Sequence, residues 1–531
     1  MKKLLSFLCG FIFCISSIAQ NTNVVLRSQF PYAGLQCANI CGYVDTTGKE
    51  YALVGVQTGM SIVDVSDPDN PFQVIQLPWG PGVNQLWKEI KVYKKHAYVV
   101  SEAGGGIQIA DLSFLPAANV PYSYWRPAIL TDTLNTVHAL HIDTTLGNLY
   151  LYGSNIGIKG AIAASLANPA SPVYLGIFNQ QYVHDGYVDN DTLYAAEIYL
   201  GLMDIIDFTN KSNPVSIATV ATPGAFTHNT WLSPDKKTVF TTDEVSGSFL
   251  TSYDISNFGN ITELDRIQSN PGSGSIVHNT HITPDNYAVT SWYKDGFTIV
   301  DVSRPHNMIQ VGNYDTYPTG AGNGFHGDWG VYPFLPSGTI VVSNIEAGLF
   351  VLTPTYVRGC YLEGNTKDSI TGNNLNGVSV QILSLANTTT LSAGTGDYAT
   401  GTVSAGTYSI QFSRTGYQTR IINNVTLSNG LLSILNVKLL PNGAGIGSLA
   451  NDRNFITVNG NPFYGQARIN YYSQSGSKQN SLLVFDNIGR IVFEKTMEAA
   501  SGEIMFGENL KAGVYYVSLN NCKPVKLIKS E

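Results

Sequence analysis

The chain has 531 residues, several times the usual size of one domain, so we expect more than one domain. Apolar residues make up 44% of the chain, which supplies enough core to exclude wholesale disorder. Charged residues are only 13% and the formal net charge is −8, which argues against a protein of long surface helices and against nucleic acid as a partner.

The first 19 residues have the pattern of a secretory signal peptide. Lys2 and Lys3 precede an apolar run, and Ser17–Ala19 offers small residues at a cleavage site. The run Leu4–Ile15 is too short to span a bilayer comfortably, and an uncleaved anchor is the alternative. No later segment approaches about 18 apolar residues, so we expect no transmembrane segment in the mature chain.

Four cysteines remain after the predicted signal peptide, namely Cys37, Cys41, Cys360 and Cys522. This number is too small for a disulfide framework in so long a chain. Cys37 and Cys41 lie four residues apart, which on a strand is too far for a bond. We expect both to be small core residues, with a disulfide or a ligand pair as the alternative.

A glycine followed by an apolar strand and a polar turn recurs seven times in the first 355 residues. The copies are Gly59–Ser66, Gly106–Ser113, Gly160–Ser165, Gly201–Thr209, Gly247–Ser256, Gly296–Ser303 and Gly348–Thr353. Successive glycines are separated by 41 to 54 residues, a period typical of propeller blades. Most copies carry an Asp two residues before Ser or Thr, which predicts a carboxylate that accepts backbone N–H groups in the turn rather than a metal ligand.

The chain start predicts how the ring of blades closes. The seventh copy has three strands and ends at Leu349–Leu352, whereas Val24–Phe30 matches the pattern of the fourth strands Phe72–Leu77 and Met308–Tyr314. An N-terminal strand that completes the last sheet would leave no open edge. We therefore predict an all-β protein whose residues 20–355 form a seven-bladed β-propeller.

This region resembles the LVIVD-repeat proteins of bacterial cell surfaces, including the family called choice-of-anchor B. The residues that carry the resemblance are Ser61–Ser66 with Pro68 and Pro71, Ile107–Ser113, and Phe297–Ser303 with Pro305. The resemblance covers about two thirds of the chain. It implies an architecture and brings no settled biochemical activity with it.

Five of the nine histidines occupy one repeat position at the start of a first strand, namely His138, His184, His228, His278 and His326. Acidic residues fall at the ends of the second strands, namely Glu102, Glu197, Asp243, Glu244, Asp295 and Glu346. Antiparallel pairing brings these two positions to one face of the ring. We therefore expect His184 to neighbour Glu197, and His228 to neighbour Asp243, at the mouth of the central channel.

This mouth is the candidate ligand-binding site. Its predicted residues are His138, His184, His228, His278, His326, Glu102, Glu197, Asp243 and Glu346. Neutral imidazole and carboxylate suit Zn²⁺ or Mn²⁺, and His184, His228, His278 and Glu197 are the predicted metal ligands. A purely structural role for the repeated histidine and a catalytic role remain open. His141 and His281 alternate with Tyr187, Trp231 and Trp329 at a second position, which favours aromatic packing.

Residues 356–440 predict a β-sandwich. The runs Gly377–Leu383 and Ala405–Phe412 alternate apolar and polar residues between glycine turns. The segment resembles the carboxypeptidase regulatory-like domain, a non-catalytic module of prealbumin type. The resemblance implies no peptidase activity here.

Residues 441–531 predict a linker at 441–450 and a small β-domain at 451–531. This tail resembles a type A sorting domain of the type IX secretion system, through Asn461–Phe463, Leu483–Gly489, Gly513–Val517 and Lys526–Lys529. The resemblance implies export by that machinery, a Bacteroidota-like source, and delivery to the cell surface or the medium. An ordinary adhesin-type β-domain is the alternative.

The sequence thus predicts a secreted or surface-attached propeller that binds a protein, a glycan or an ion on its ring face. An extracellular metal-dependent lyase or hydrolase using the channel mouth is the alternative, and a structural surface-layer component is a third. No nucleophile elbow, phosphate loop or His-Glu-x-x-His pattern is present, so whether the protein is an enzyme stays open.

Overall fold

The computed structural model describes residues 21–80, 84–442, 454–473, 480–497, 499–519 and 524–531. Within these ranges the fold is all-β, as predicted, with a single short 3-10 turn at Leu112–Phe114. The predicted signal peptide at 1–19, residues 443–450 of the predicted linker and Cys522 lie outside the described residues.

The described residues before position 355 contain thirty strands. They are β1 (Val24–Phe30), β2 (Cys37–Val44), β3 (Glu50–Val56), β4 (Gly59–Asp64), β5 (Phe72–Pro78), β6 (Lys88–Tyr93), β7 (His96–Ser101), β8 (Ile107–Asp111), β9 (Tyr122–Trp125), β10 (Ala128–Ile129), β11 (Asp132–Thr133), β12 (Ala139–Asp143), β13 (Asn148–Tyr152), β14 (Ala161–Ser165), β15 (Val173–Phe178), β16 (Asp185–Asp189), β17 (Thr192–Glu197), β18 (Leu202–Asp207), β19 (Val215–Ala221), β20 (Thr227–Leu232), β21 (Thr238–Asp243), β22 (Leu250–Asp254), β23 (Thr262–Ile267), β24 (Thr280–Ile282), β25 (Tyr287–Ser291), β26 (Phe297–Asp301), β27 (Ile309–Tyr314), β28 (Asp328–Tyr332), β29 (Ile340–Asn344) and β30 (Gly348–Pro354).

The described part of the remaining chain contains fifteen more strands. They are β31 (Cys360–Asp368), β32 (Ser379–Ile382), β33 (Thr390–Leu391), β34 (Asp397–Thr402), β35 (Gly406–Ser413), β36 (Arg420–Leu427), β37 (Leu432–Ile434), β38 (Val437–Leu439), β39 (Asn454–Asn459), β40 (Ala467–Ser473), β41 (Asn480–Asp486), β42 (Ile491–Met497), β43 (Ser501–Phe506), β44 (Gly513–Leu519) and β45 (Val525–Lys529).

Seven four-stranded antiparallel sheets form within the described part of the first 355 residues. Six of them run in chain order, as β2–β5, β6–β9, β12–β15, β16–β19, β20–β23 and β24–β27. The last has the order β1-β30-β29-β28, and a two-stranded hairpin, β10-β11, is separate. The first strand of each sheet packs against the first strand of the next, and β28 packs against β2. The sheets therefore stand as blades around a closed ring.

Strand β1 completes the last blade, as predicted. It pairs antiparallel with β30 from Val24 opposite Pro354 to Phe30 opposite Leu349. Val24 is buried in the core of this sheet and its neighbour. The chain start therefore covers the edge that β30 would otherwise expose.

The repeated glycine and aspartate act locally, as their positions in the repeat predict. Gly296 has a φ of 75°, and a Cβ there would lie 2.1 Å from the carbonyl oxygen of Tyr314 in the next strand. At the other end of β26, the carboxylate of Asp301 accepts the backbone N–H of Ser303 at 3.1 Å. The Ile and Val side chains between them are buried. Cys37, Cys41 and Cys360 are buried free thiols, so the core role predicted for the first two is confirmed.

The C-terminal strands form two further sandwiches. In the first, a sheet in which β31 pairs with β34, β37 and β38 faces the sheet β33-β32-β35-β36 across a core that includes Leu362, Val380 and Phe412. In the second, β39-β40-β43 faces β42-β41-β44-β45 around Ile469, Val484 and Val517.

The first sandwich docks on the propeller beside the sheet β24–β27. Arg304 binds Glu363 through two hydrogen bonds of 2.9 Å, and Arg358 donates to Asp301 at 2.9 Å. Arg358 also donates to the carbonyl oxygen of Asp285 at 2.7 Å, in the turn between β24 and β25. Bidentate arginine–carboxylate pairing fixes the relative orientation of its two partners, so the sandwich has a defined position on this face of the ring.

No helix in the described residues is long and apolar enough to cross a membrane.

Candidate metal centre at the channel mouth

The first strands of the blades line the central channel at two levels, three residues apart. The upper level is a cavity of about 120 Å³, which we call the histidine cavity. Its lining residues at or within two positions of the first-strand starts include Lys88, His138, His184, His228, His278 and Trp329. Three residues further along the same strands, Lys91, His141, Tyr187, Trp231, His281 and Tyr332 line a second cavity.

Four imidazole rings stand in a row at the upper level. The ring centroids are 3.9 Å apart between His138 and His184, 4.7 Å between His184 and His228, and 4.4 Å between His228 and His278. Adjacent blades supply adjacent rings, because each histidine lies within two residues of the start of the first strand of its own sheet. The repeat position predicted from the sequence therefore becomes a continuous row of nitrogen ligands.

Hydrogen bonds orient some of these rings and leave other ring nitrogens without a partner. Nδ1 of His138 lies 2.7 Å from Glu102 Oε1, and Nδ1 of His184 lies 3.0 Å from the Tyr182 hydroxyl. Nδ1 of His278 lies 2.5 Å from the carbonyl oxygen of Trp329. Among the described residues, Nε2 of His184 and Nδ1 of His228 are buried without any hydrogen-bond partner.

Glu244 lies between the last two histidines. Its carboxylate oxygens are 3.7 Å from His228 Nε2 and 3.6 Å from His278 Nε2, and it accepts the Tyr293 hydroxyl at 2.7 Å. Burial raises the pKa of Glu244 to about 7. Burial also lowers the pKa of His278 to about 3 and holds the pKa of His184 and His228 well below the usual value. The rings of His184, His228 and His278 are therefore neutral at physiological pH, which is the form that binds metals.

Two groups of three potential metal ligands overlap here. His138, His184 and His228 form one, and His228, Glu244 and His278 form the other, with all ligand atoms of each group within 4.8 Å of one another. Imidazole nitrogen and carboxylate oxygen are ordinary ligands of Zn²⁺ and Mn²⁺. The unpartnered nitrogens of His184 and His228 supply the lone pairs that such an ion requires, so these residues fit a divalent metal.

The structure brings together four of the five predicted histidines, together with Glu102. His326 lies outside the histidine cavity and is exposed, with Nδ1 2.7 Å from Glu346 Oε1 and its ring stacked on Tyr317. Trp329 occupies the corresponding place in the cavity. Trp329 therefore does not belong to the aromatic position that the sequence suggested, and Tyr332 takes that place.

Neither Glu197 nor Asp243 lines the histidine cavity, and the expected pairs with His184 and His228 are absent from the hydrogen bonds of the described residues. Asp243 instead accepts the Thr222 hydroxyl at 2.5 Å and the backbone N–H groups of Gly224 and Phe226 at 3.1 Å. Each of the two acids is the last residue of its strand. Their roles are in the blades rather than in the channel.

Sequence reasoning grouped Glu244 with the acidic strand ends but did not choose it as a site residue, and it missed Tyr182 and Tyr293. A usable signal was present for Glu244. It follows β21 by one residue, as Glu102 follows β7 by one residue, and both reach a histidine. The two tyrosines carry no repeat signal of this kind.

Replacing Glu197 by Gln is expected to change the pH dependence of stability. Burial first, and then the neighbouring Asp204, raise the pKa of Glu197 from 4.5 to about 8. The folded state therefore holds a proton that the unfolded state releases, and stability falls as pH rises from about 5 to 8. Thermal melting across this range should show a smaller fall for Glu197→Gln than for the unchanged chain. An equal fall in both proteins would contradict the raised pKa of Glu197.

Comparison with known families identifies two modules. The LVIVD repeat matches residues 48–76 and 285–316, which contain the second and third strands of the first and sixth blades and most of each fourth strand. The carboxypeptidase regulatory-like domain matches residues 362–440, within the first C-terminal sandwich. Comparison with curated proteins finds no match to the chain. The repeat and the ring of sheets together indicate a β-propeller-type extracellular protein.

Proposed function

We propose that this protein is a secreted or surface-attached binding protein whose propeller holds a divalent metal ion, Zn²⁺ or Mn²⁺, in the histidine cavity. The observation that carries the proposal is the row of four histidines with Glu244, in which ligand atoms from adjacent blades converge within 4.8 Å. The ion and the cavity rim together bind a protein or glycan partner.

Metal binding accounts for the buried ring nitrogens better than packing alone. A histidine that only ties one strand to another uses its nitrogens in hydrogen bonds, as His278 does with the carbonyl of Trp329. Nε2 of His184 and Nδ1 of His228 lack such partners among the described residues. An unsatisfied buried polar atom costs about 1–3 kcal/mol, and coordination of an ion removes that cost at both atoms.

The rim of the histidine cavity supports a partner-binding role. Trp87 and Phe325 are exposed, and their rings contact Trp329 and Tyr293 at the cavity wall. Tyr199, which is 74% exposed, packs on Tyr182 beside His184. Exposed aromatic side chains around a concave polar centre are the usual anchors of a binding surface.

Export belongs to the same proposal. The signal peptide at 1–19 would direct the chain out of the cytoplasm, and the type IX machinery would read the domain at 451–531. The described residues of that domain form a β-sandwich with Asn461 bound to the backbone of Lys526 and Ile528. The matching segments Asn461–Phe463 and Lys526–Lys529 thus meet, which supports a single recognition element at the chain end.

An extracellular metal-dependent hydrolase or lyase is the second candidate, and the pKa of Glu244 favours it. A carboxylate with a pKa of about 7 can accept a proton near neutral pH. A metal on His138, His184 and His228 would polarise a bound water or carbonyl group. Glu244, 3.7 Å from His228, would lie beside that centre as a general base.

Metal analysis of the purified chain tests the proposal. We expect about one Zn²⁺ or Mn²⁺ per chain, which is what a site with three or four protein ligands holds. His184→Ala combined with His228→Ala should remove the metal, because it deletes both unpartnered nitrogens. His326→Ala is the matched control and should keep it. Absence of metal from the unchanged chain after reconstitution, or retention by the double variant, would refute the metal centre. The enzyme candidate further requires a turnover that Glu244→Gln removes while the metal stays bound.

A further inference from the structure

The second cavity lies at the opposite end of the channel and has no role in the function proposed above. It has a volume of about 390 Å³ and opens among the turns that join first and second strands, through Thr144, Thr145 and Phe334. Pockets of about 300–1,000 Å³ are the usual size for small-molecule ligands. We call it the aromatic cavity.

Aromatic rings from successive blades form its wall. Ring centroids are 4.5 Å apart between His141 and Tyr187, 4.9 Å between Tyr187 and Trp231, and 4.5 Å between Trp231 and His281. Phe334 stacks on Trp231 with an interplanar angle of 17°. Tyr187, Trp231 and Phe334 are each partly exposed, so the rings are not sealed in the core as a packing position requires.

Polar groups interrupt this aromatic wall. Nδ1 of His281 is buried and has no hydrogen-bond partner among the described residues, although His281 lines the cavity. Lys91 lines it as well, and one of the three N–H groups of its ammonium donates a hydrogen bond to Glu89. Asp143 and Asp189 provide carboxylates at the same cavity, the latter paired with Lys236 at 2.7 Å.

This set of groups discriminates between ligand classes. A simple hydrocarbon would bury the ammonium of Lys91 and the carboxylate of Asp189 without replacing their hydrogen bonds to water. The carboxylates of Asp143 and Asp189 would repel an anion, and the ammonium of Lys91 would repel a cation. A neutral ring with several hydroxyl groups avoids both conflicts, since hydroxyls donate to carboxylate and imidazole and accept from an ammonium.

We propose that the aromatic cavity binds a neutral saccharide, with the C–H face of a sugar ring packed on Trp231 and its hydroxyls bonded to His281, Lys91 and Asp189. The face of an aromatic ring carries partial negative charge and attracts the polarised C–H groups of such a ring. The unpartnered Nδ1 of His281 then accepts a hydrogen bond from a sugar hydroxyl.

The two cavities are separate sites. Between their levels, the side chain of Asn39 donates to Glu89, and Asn229 donates to Asp185 at 2.7 Å. Each pair joins neighbouring blades at the level between the two cavities. Saccharide binding at the aromatic cavity is therefore expected to be independent of any metal in the histidine cavity.

Calorimetric titration of the full chain, treated with chelator, tests the proposal. The probes are glucose, galactose, N-acetylglucosamine and their β-linked disaccharides, with glucuronate and choline as the charged comparators. We expect at least one neutral sugar to bind, and Trp231→Ala to weaken it by about tenfold or more, the loss of one good aromatic contact. Asp189→Asn, a change at a partly exposed side chain, should weaken it severalfold without altering the melting temperature.

Trp125→Ala is the matched control, because Trp125 is a partly exposed tryptophan on β9 that lines neither cavity and should leave sugar affinity unchanged. Absence of heat with every neutral sugar at millimolar concentration would overturn the proposal. Preferential binding of choline or glucuronate would also overturn it. So would Asp189→Asn and Trp231→Ala variants that bind the sugar as tightly as the unchanged chain does. The metal analysis above is unaffected by any of these results.

Discussion

A chain that starts after Phe30 is expected to lose about 5 kcal/mol or more of unfolding free energy, which is comparable to the whole stability of many domains. The deletion removes the entire β1–β30 ladder and uncovers Leu349–Leu352 as a sheet edge. It also removes Val24 from the core shared by the last two blades. Denaturant unfolding followed by tryptophan fluorescence measures the loss, and size-exclusion chromatography detects association through the open edge.

A synthetic peptide of residues 21–31 provides the control for this deletion. Added in trans, it should pair with β30 and restore both the unfolding midpoint and the monomeric elution volume, because an exposed edge accepts a free strand. An unchanged midpoint in the truncated chain would mean that β1 does not close the ring.

Replacing Lys91 by Met is the second change with a large expected effect. Burial lowers the pKa of Lys91, but Glu89 and Asp185 outweigh it, so its pKa lies above the usual value and the ammonium stays charged. Without it, two buried carboxyl groups in the channel lose their cation. Breaking a buried pair in this way costs about 3–5 kcal/mol, and the loss should appear as a lower denaturant midpoint at pH 7.

Two features distinguish this electrostatic effect from lost packing. Burial raises the pKa of Glu89 and Asp185, so lowering the pH protonates them and should return part of the lost stability. The double variant Glu89→Gln, Lys91→Met should be more stable than Lys91→Met alone, because it removes a stranded charge. A double variant as unstable as the single one would point to packing instead.

Much of the ring could be predicted because its determinants are local. The predicted strands Phe72–Leu77 and Met308–Tyr314 each differ from β5 and β27 by one residue at one end. Glycine at a positive φ and a turn-capping aspartate mark most of the repeats without reference to distant residues. Closure by Val24–Phe30 followed from one missing strand and one unmatched strand.

The site was harder to predict, because side-chain direction changes with every residue along a strand. Asp243 and Glu244 are adjacent, yet the first binds the backbone of the 222–226 loop while the second reaches His228. The repeat spacing also selected the wrong residue of the last blade for the histidine cavity. His326 and Trp329 lie 48 and 51 residues after His278, and both intervals fit the repeat, but the fold places Trp329 against His278.

The first C-terminal sandwich docks near one end of the channel and leaves the other end far from it. Arg358 grips Asp285 and Asp301 on the side where Thr144 and Phe334 frame the aromatic cavity. The imidazole row opens on the other side. In a chain attached to a surface through its C-terminal domains, the histidine cavity would therefore face away from that surface. The aromatic cavity would face toward it.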